Sequence, residues 1–291
     1  MGCFSPSGDF DGVIRQLDVL QDLGITALEI MPVAQFPGVR NWGYDGVFPF
    51  AVQNSYGGPA GLKRLVNACH LRGMAVVLDV VYNHFGPEGD YFADFGGYFT
   101  QRYGTPWGHA INFDGPDSDH VRRFFLENVM YWISDLHIDA LRLDAIQLIF
   151  DGTAEPFLSE VAQAVHDEGE ESGRHVHVMG ETNQNDVHPV TPAGQGGLGL
   201  DAVWSDGFHR SVHSRLAGER MGYFADYGRP DHLAKACREG FVLDGCYSRH
   251  RGRRHGSSSR AVPGHRLIVF VQNHDLERAD DGAAHCFRDS S

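Results

Sequence analysis

MAVVLDVVYNH, residues 74–84, is an apolar run that closes on Asn83 and His84. A buried strand that switches abruptly from apolar to ionisable residues puts those residues at a strand mouth, where barrel enzymes keep their chemistry. Five other runs carry the same punctuation: TALEIMPV (26–33), HIDALRLDA (137–145), HVHVMGET (175–182), LDAVWSD (200–206) and RLIVFVQNHD (266–275). Short apolar strands of this kind read as parallel strands covered on both faces.

Helical patterns lie between them. FDGVIRQLDVLQDLG (10–24), LKRLVNACHLRG (62–73), VRRFFLENVMYWISDL (121–136) and FLSEVAQAVHDEG (157–169) precede the first four strands. In the third, Val121, Phe124, Phe125, Asn128, Val129 and Trp132 recur at spacings of three and four, as one buried helical face requires. Gly24 and Gly73 stand where helix C-caps are expected. Such alternation leads to a doubly wound sheet or a (β/α)8 barrel. No GxGxxG follows a strand, so a dinucleotide site has no support.

Two stretches break the rhythm. Residues 85–120 are rich in Gly, Pro and aromatics without a clear period, which predicts a functional loop after a barrel strand. Residues 249–266, RHRGRRHGSSSRAVPGHR, read as a solvated loop.

Composition fits one catalytic domain spanning 1–291. The 291 residues, 42% of them hydrophobic, can bury a large core, and a single α/β barrel commonly takes about 250 residues. A net charge of −14 argues against nucleic-acid or anionic-membrane partners, which need a basic face, and favours a neutral one. Cys3, Cys69, Cys237, Cys246 and Cys286 show no CxxC spacing, which points to reduced thiols in a cytoplasmic protein. No apolar run approaches the roughly 18 residues of a membrane span, and the N-terminus lacks a signal-peptide pattern. Neither a metal nor a cofactor is expected, and oligomeric state is not readable.

The chemistry lies at the strand ends. In ALRLDA, Arg142 and Asp144 are two apart and point to one side of a strand, with Leu141 and Leu143 on the other. A guanidinium there favours the ionised carboxylate that a nucleophile requires; the plain alternative is a buried ion pair. Glu181 follows HVHVMG among apolar neighbours that favour a protonated carboxyl. Asp275 supplies a third carboxylate, and His84 and His274 close two strands. Three carboxylates with an Arg and two His suit a glycosidic bond: retaining hydrolysis takes one ionised and one protonated carboxyl about 5 Å apart. Aromatics stand nearby, among them Trp42 and Tyr44, several in 85–120, and Trp204. Sugar rings stack their CH faces on such side chains, although ordinary loop packing explains any single one.

DVVYNH (79–84), ALRLDA (140–145), the Glu181 strand end and VQNHD (271–275) resemble the four ordered regions of the α-amylase family of glycoside hydrolases. The resemblance implies a (β/α)8 TIM barrel. It makes Asp144 the nucleophile, Glu181 the general acid/base and Asp275 the transition-state stabiliser, with Tyr44, His84, Arg142 and His274 lining the subsite of the attacked sugar. Segments 41–59, 98–118, 204–228 and 247–256 look most like family members that cleave the α-1,4 bond next to the terminal trehalose unit of maltooligosyl trehalose. A branching transferase acting on 1,4-α-glucan and a noncatalytic glucan-binding remnant are the alternatives.

Some features depart from the family pattern. Gly180 and Thr182 are unusual neighbours for Glu181, and LERADDGAAHCFRDSS after Asp275 lacks the family's continuation. MGCFSPSG matches only the exit of a first barrel strand, so most of the first strand and the eighth are expected to be missing, along with the usual N- and C-terminal β-domains. Those two strands are neighbours in a barrel, so a single gap with open edges is expected to weaken or abolish activity.

Overall fold

The computed structural model describes residues 4–274, and these divide into two compact units, 4–178 and 179–274. In the first, three strands pair in parallel: β1 (Ala27–Ile30), β2 (Ala75–Val80) and β3 (Ala140–Leu143). Their register sets Leu28 beside Val76 and Asp79 beside Arg142. All four residues of β3 are buried, as are the last five of β2, which matches the apolar runs.

The helices of this unit follow their apolar spacing. The stretch 10–24 folds as two helices, α1 (Phe10–Ile14) and α2 (Leu17–Asp22), where one was expected. Asp9 caps α1 by accepting from Gly12 N at 2.8 Å, and Gln16 N turns back to Val13 O, tightening the chain. The buried face continues through this break, because Phe10, Val13 and Leu17 are all in the core. Gly24 and Gly73 have φ of 83° and 68°, as C-cap positions require. Helix α3 (Gly58–His70) buries Leu62, Leu65, Val66 and Cys69.

Helix α4 (Ser118–Met130) buries Val121, Phe125, Asn128 and Val129 and runs into a π turn, Tyr131–Asp135, that buries Trp132 and Ile133. Phe125 is fully buried among Tyr82, Phe85, Phe113 and Phe157, so Phe125→Ala costs about 3–5 kcal/mol. Helix α5 (Phe157–Ser172) packs against α4.

Residues 85–120 are more regular than their composition suggested. They contain a helical turn, Phe92–Phe95, and a hairpin in which Phe99–Thr105 pairs antiparallel with Gly108–Ile111. Phe92 and Tyr98 pack on Phe124 of α4, and Phe92 stacks on Phe85 at 4.3 Å. Loop packing therefore accounts for these aromatics.

The division falls within a strand, β4 (His177–Gly180). In the first unit, His177 N donates to Asp139 O at 3.0 Å. In the second, Met179 and Gly180 pair in parallel with β5 (Ala202–Ser205), which pairs in parallel with β6 (Leu267–Val269). The expected strand over 266–275 stops at Val269, whose partner, Ser205, is the last residue of β5. Helices α6 (Gly207–Leu216) and α7 (Pro230–Glu239) follow β5 and pack together. Val190, Val203, Phe241 and Leu267 form one core cluster of this unit; Tyr227, Ala236, Val242 and Leu243 form another. The stretch 249–266 is not simply a solvated loop, because Arg253–His255 pairs antiparallel with Cys246–Ser248 and buries His255. Six parallel strands alternating with helices among the described residues give an incomplete (β/α)8 barrel.

Candidate active site

Asp144 stands immediately after β3, and the strand itself supplies its partner. Arg142 Nη1 donates to Asp144 Oδ1 at 2.9 Å, as expected for side chains two apart on one face. The same Nη1 donates to Asp79 Oδ2 at 2.7 Å, because the parallel register sets Asp79 beside Arg142. Tyr44 OH donates to Asp79 Oδ2 at 2.7 Å. Asn83 Nδ2 donates to Asp144 Oδ2 at 3.0 Å and to its carbonyl at 2.8 Å. Asp144 is thus gripped at both carboxylate oxygens while its side chain keeps 14% exposure. The next residue, Ala145, sits at φ 43°, a left-handed conformation that costs a non-glycine residue about 1–3 kcal/mol and is commonest at functional sites.

Charge explains why the group holds together. Burial pushes Asp79 up to about 8, opposed by Arg142 and reinforced by Asp144. A carboxyl in that range keeps its proton through much of the neutral region, which leaves the guanidinium to Asp144. Burial, followed by the Asp79 charge, drives the Tyr44 phenol upward, so it serves as a donor. Burial also raises Glu29 of β1 above its ordinary value, with Arg142 opposing the rise.

Of the residues expected in the site, the structure brings Arg142, Asp144, Tyr44 and His84 close together. His84 Nε2 donates to Tyr44 O at 2.9 Å, and Nδ1 lies 2.5 Å from Asn83 Oδ1. Asn83 spends its amide protons on Asp144, so Nδ1 can donate to Oδ1 only in the imidazolium form. Burial pulls the His84 pKa below its ordinary value, while Tyr44 O, Asp144 and Asp45 pull it up. Trp107, from the tip of the 99–111 hairpin, stacks on the His84 ring at 4.0 Å and remains half exposed. Asp79 and Asn83 were missed as site residues. The available signal was an ionisable residue inside an otherwise apolar strand, which needs a partner to be buried there.

The turn that carries Trp42 and Tyr44 depends on close backbone approach. Gly43 has φ 99°, and a Cβ there would meet Pro32 O at 2.1 Å. Asn41 Oδ1 accepts from Gly43 N at 2.6 Å, and Trp42 is half-buried beside it.

In the second unit, the backbone that follows Glu181 is bonded to a neighbouring segment. Glu181 is half-buried directly after β4, followed by buried Thr182. Asn183 O, two residues on, accepts from Arg251 Nη2 and His255 Nε2, both at 3.0 Å. Ser257 N donates to Asn185 O at 2.8 Å. The 246–257 segment therefore clasps the chain that leaves Glu181. Trp204 lies inside β5, only 9% exposed, with its ring 4.9 Å from Phe270. His274 is half-buried, and Asp275 lies outside the described residues. Among the described residues no group of His, Cys, Asp or Glu forms a metal cluster, and no helix is long and apolar enough to cross a membrane.

Known proteins resemble this chain along most of its length. Residues 3–104 match the family model "Alpha amylase, catalytic domain". Malto-oligosyltrehalose trehalohydrolases from Saccharolobus solfataricus and Arthrobacter ramosus are 47% and 44% identical over 94% of the chain and 48% of their own length. A crystal structure of a putative α-amylase from Salmonella typhimurium superposes with a TM-score of 0.87 at 40% identity, over 94% of this chain and 47% of that one. The chain spans about half the length of the curated relatives it matches. With the strand-end carboxylate and its arginine in place and this likeness along nearly all its length, the chain belongs to the α-amylase family.

Proposed function

We propose that this chain carries catalytic-barrel residues of a retaining glycoside hydrolase that cleaves the α-1,4 bond next to the terminal trehalose unit of maltooligosyl trehalose. The observation that carries the reading is the 47% identity to a malto-oligosyltrehalose trehalohydrolase over 94% of the chain. Asp144 attacks the anomeric carbon, and Glu181 protonates the departing oxygen and then activates water. Asp275 stabilises the oxocarbenium-like state. Arg142 holds Asp144, while Tyr44, His84 and His274 line the subsite of the attacked sugar. Trp42 and Trp204 contribute aromatic surface. The half-exposed Trp107 on His84 supports a neutral sugar substrate, because a flat ring beside the grip of Asp144 suits a pyranose face. The reaction needs no cofactor, and a cytoplasmic location fits cysteines scattered without CxxC spacing.

Incubation with maltooligosyl trehalose tests the reading. Free trehalose should appear, and Asp144→Asn and Glu181→Gln should each slow its release about 10³-fold or more. Equal rates in all three proteins would overturn it. Conversion of amylose to α-1,6-linked product would assign the chain to branching transferases instead. Calorimetric binding of maltooligosaccharide without turnover would mark a noncatalytic glucan binder.

A further inference from the structure

Helix α4 carries an asparagine whose buried amide is only half accounted for. Asn128 is fully buried, and its Oδ1 accepts from Tyr82 OH at 2.7 Å and from Trp132 Nε1 at 2.9 Å. Two donors on the oxygen fix the orientation of the amide, since the NH2 group cannot accept. Nδ2 is then buried with no protein acceptor. Asp79 presents the complementary case: Oδ2 takes bonds from Tyr44 and Arg142, whereas Oδ1 is buried with no protein partner. Both residues line the same cavity of about 20 Å³, with Leu78, Tyr82, Phe85 and Trp132 among the other walls.

A buried donor and a buried acceptor left apart are both costly. One water needs roughly 10–15 Å³ and two to four polar partners, and this cavity offers the space and two such partners. We propose that the cavity is a binding site for one ordered water molecule that accepts from Asn128 Nδ2 and hydrogen-bonds Asp79 Oδ1. The water ties the strand-interior carboxyl to α4, and through Asp79 it steadies Arg142. Either protonation state of Asp79 is served, because water can donate to the carboxylate or accept from the carboxyl.

Crystals of the protein diffracting to about 1.5 Å test the site. The expected density is a single peak within about 2.7–3.2 Å of both Asp79 Oδ1 and Asn128 Nδ2, and Asn128→Leu should lose it. No peak in the wild-type cavity, or one that touches only one of the two atoms, overturns the proposal. The wild-type map decides alone if the variant fails to fold, and the result is independent of the reaction assigned above because no substrate is involved.

Discussion

Asp144 and Glu181 both follow a parallel strand, and the residues around them are tied down in different ways. Asp144 is held by side chains: Arg142 from its own strand grips one oxygen and Asn83 the other. Beyond Glu181 the bonds fall on main-chain carbonyls, with Asn183 O accepting from the Arg251 and His255 side chains and Asn185 O from Ser257 N. A charged cluster fixes the first carboxylate to strand geometry and ties it to the protonation of its neighbours. The loop that follows the second carboxylate is tied to the 246–257 segment.

Arg142→Leu breaks the first arrangement most severely. It removes the guanidinium that donates to both Asp79 and Asp144 and leaves the Asp144 charge without its cation, so urea denaturation should show about 3–5 kcal/mol of lost stability. A loss under about 1 kcal/mol would mean the cluster is dispensable for folding. Arg251→Ala probes the second arrangement by removing one of two donors to Asn183 O, with about 1–3 kcal/mol of cost expected. Its effect should centre on the loop. Amide hydrogen exchange should rise through 182–187 and stay unchanged in 140–145.

The third prediction concerns pH. The folded value of Asp79, about 8, lies above its ordinary 3.8, so its stabilising contribution is complete below about pH 4 and disappears as pH rises through about 8. Asp79→Asn cannot titrate and should flatten that slope. Between about pH 5 and pH 8.5 the wild-type urea midpoint should fall relative to that of the variant; parallel profiles would contradict a buried Asp79 that keeps its proton. The smallest effect belongs to the exposed Arg64–Asp11 pair, which has no part in either arrangement. Asp11→Asn should cost about 0–1 kcal/mol and leave activity unchanged.

One part of this contrast was legible in the sequence, for a physical reason. Period-two alternation places Arg142 and Asp144 on one face whatever strand lies beside them, so that pair could be read locally. Asp79 could not, because its role depends on the register between 75–80 and 140–143, which no local pattern specifies. The clasp on Asn183 was hidden likewise. RHRGRRHG has the composition of a solvated run, and only hairpin pairing turns Arg251 and His255 toward a backbone carbonyl. The 99–111 hairpin escaped because FTQRYGT lacks apolar alternation, and its alternate residues are only partly covered. Helix faces were readable in the first unit, since three- and four-residue spacing survives even the break between α1 and α2, whereas α6 and α7 were not read.

The central claim is that the cluster around Arg142 prepares Asp144 to form a bond to sugar. Trapping the glycosyl-enzyme tests it most directly: Glu181→Gln is reacted with a maltooligosyl fluoride, and the quenched protein is digested for mass spectrometry. A glycosyl adduct is expected on Asp144, within the peptide that carries ALRLDA. An adduct on another carboxylate, or trehalose release that persists in Asp144→Asn, would contradict it.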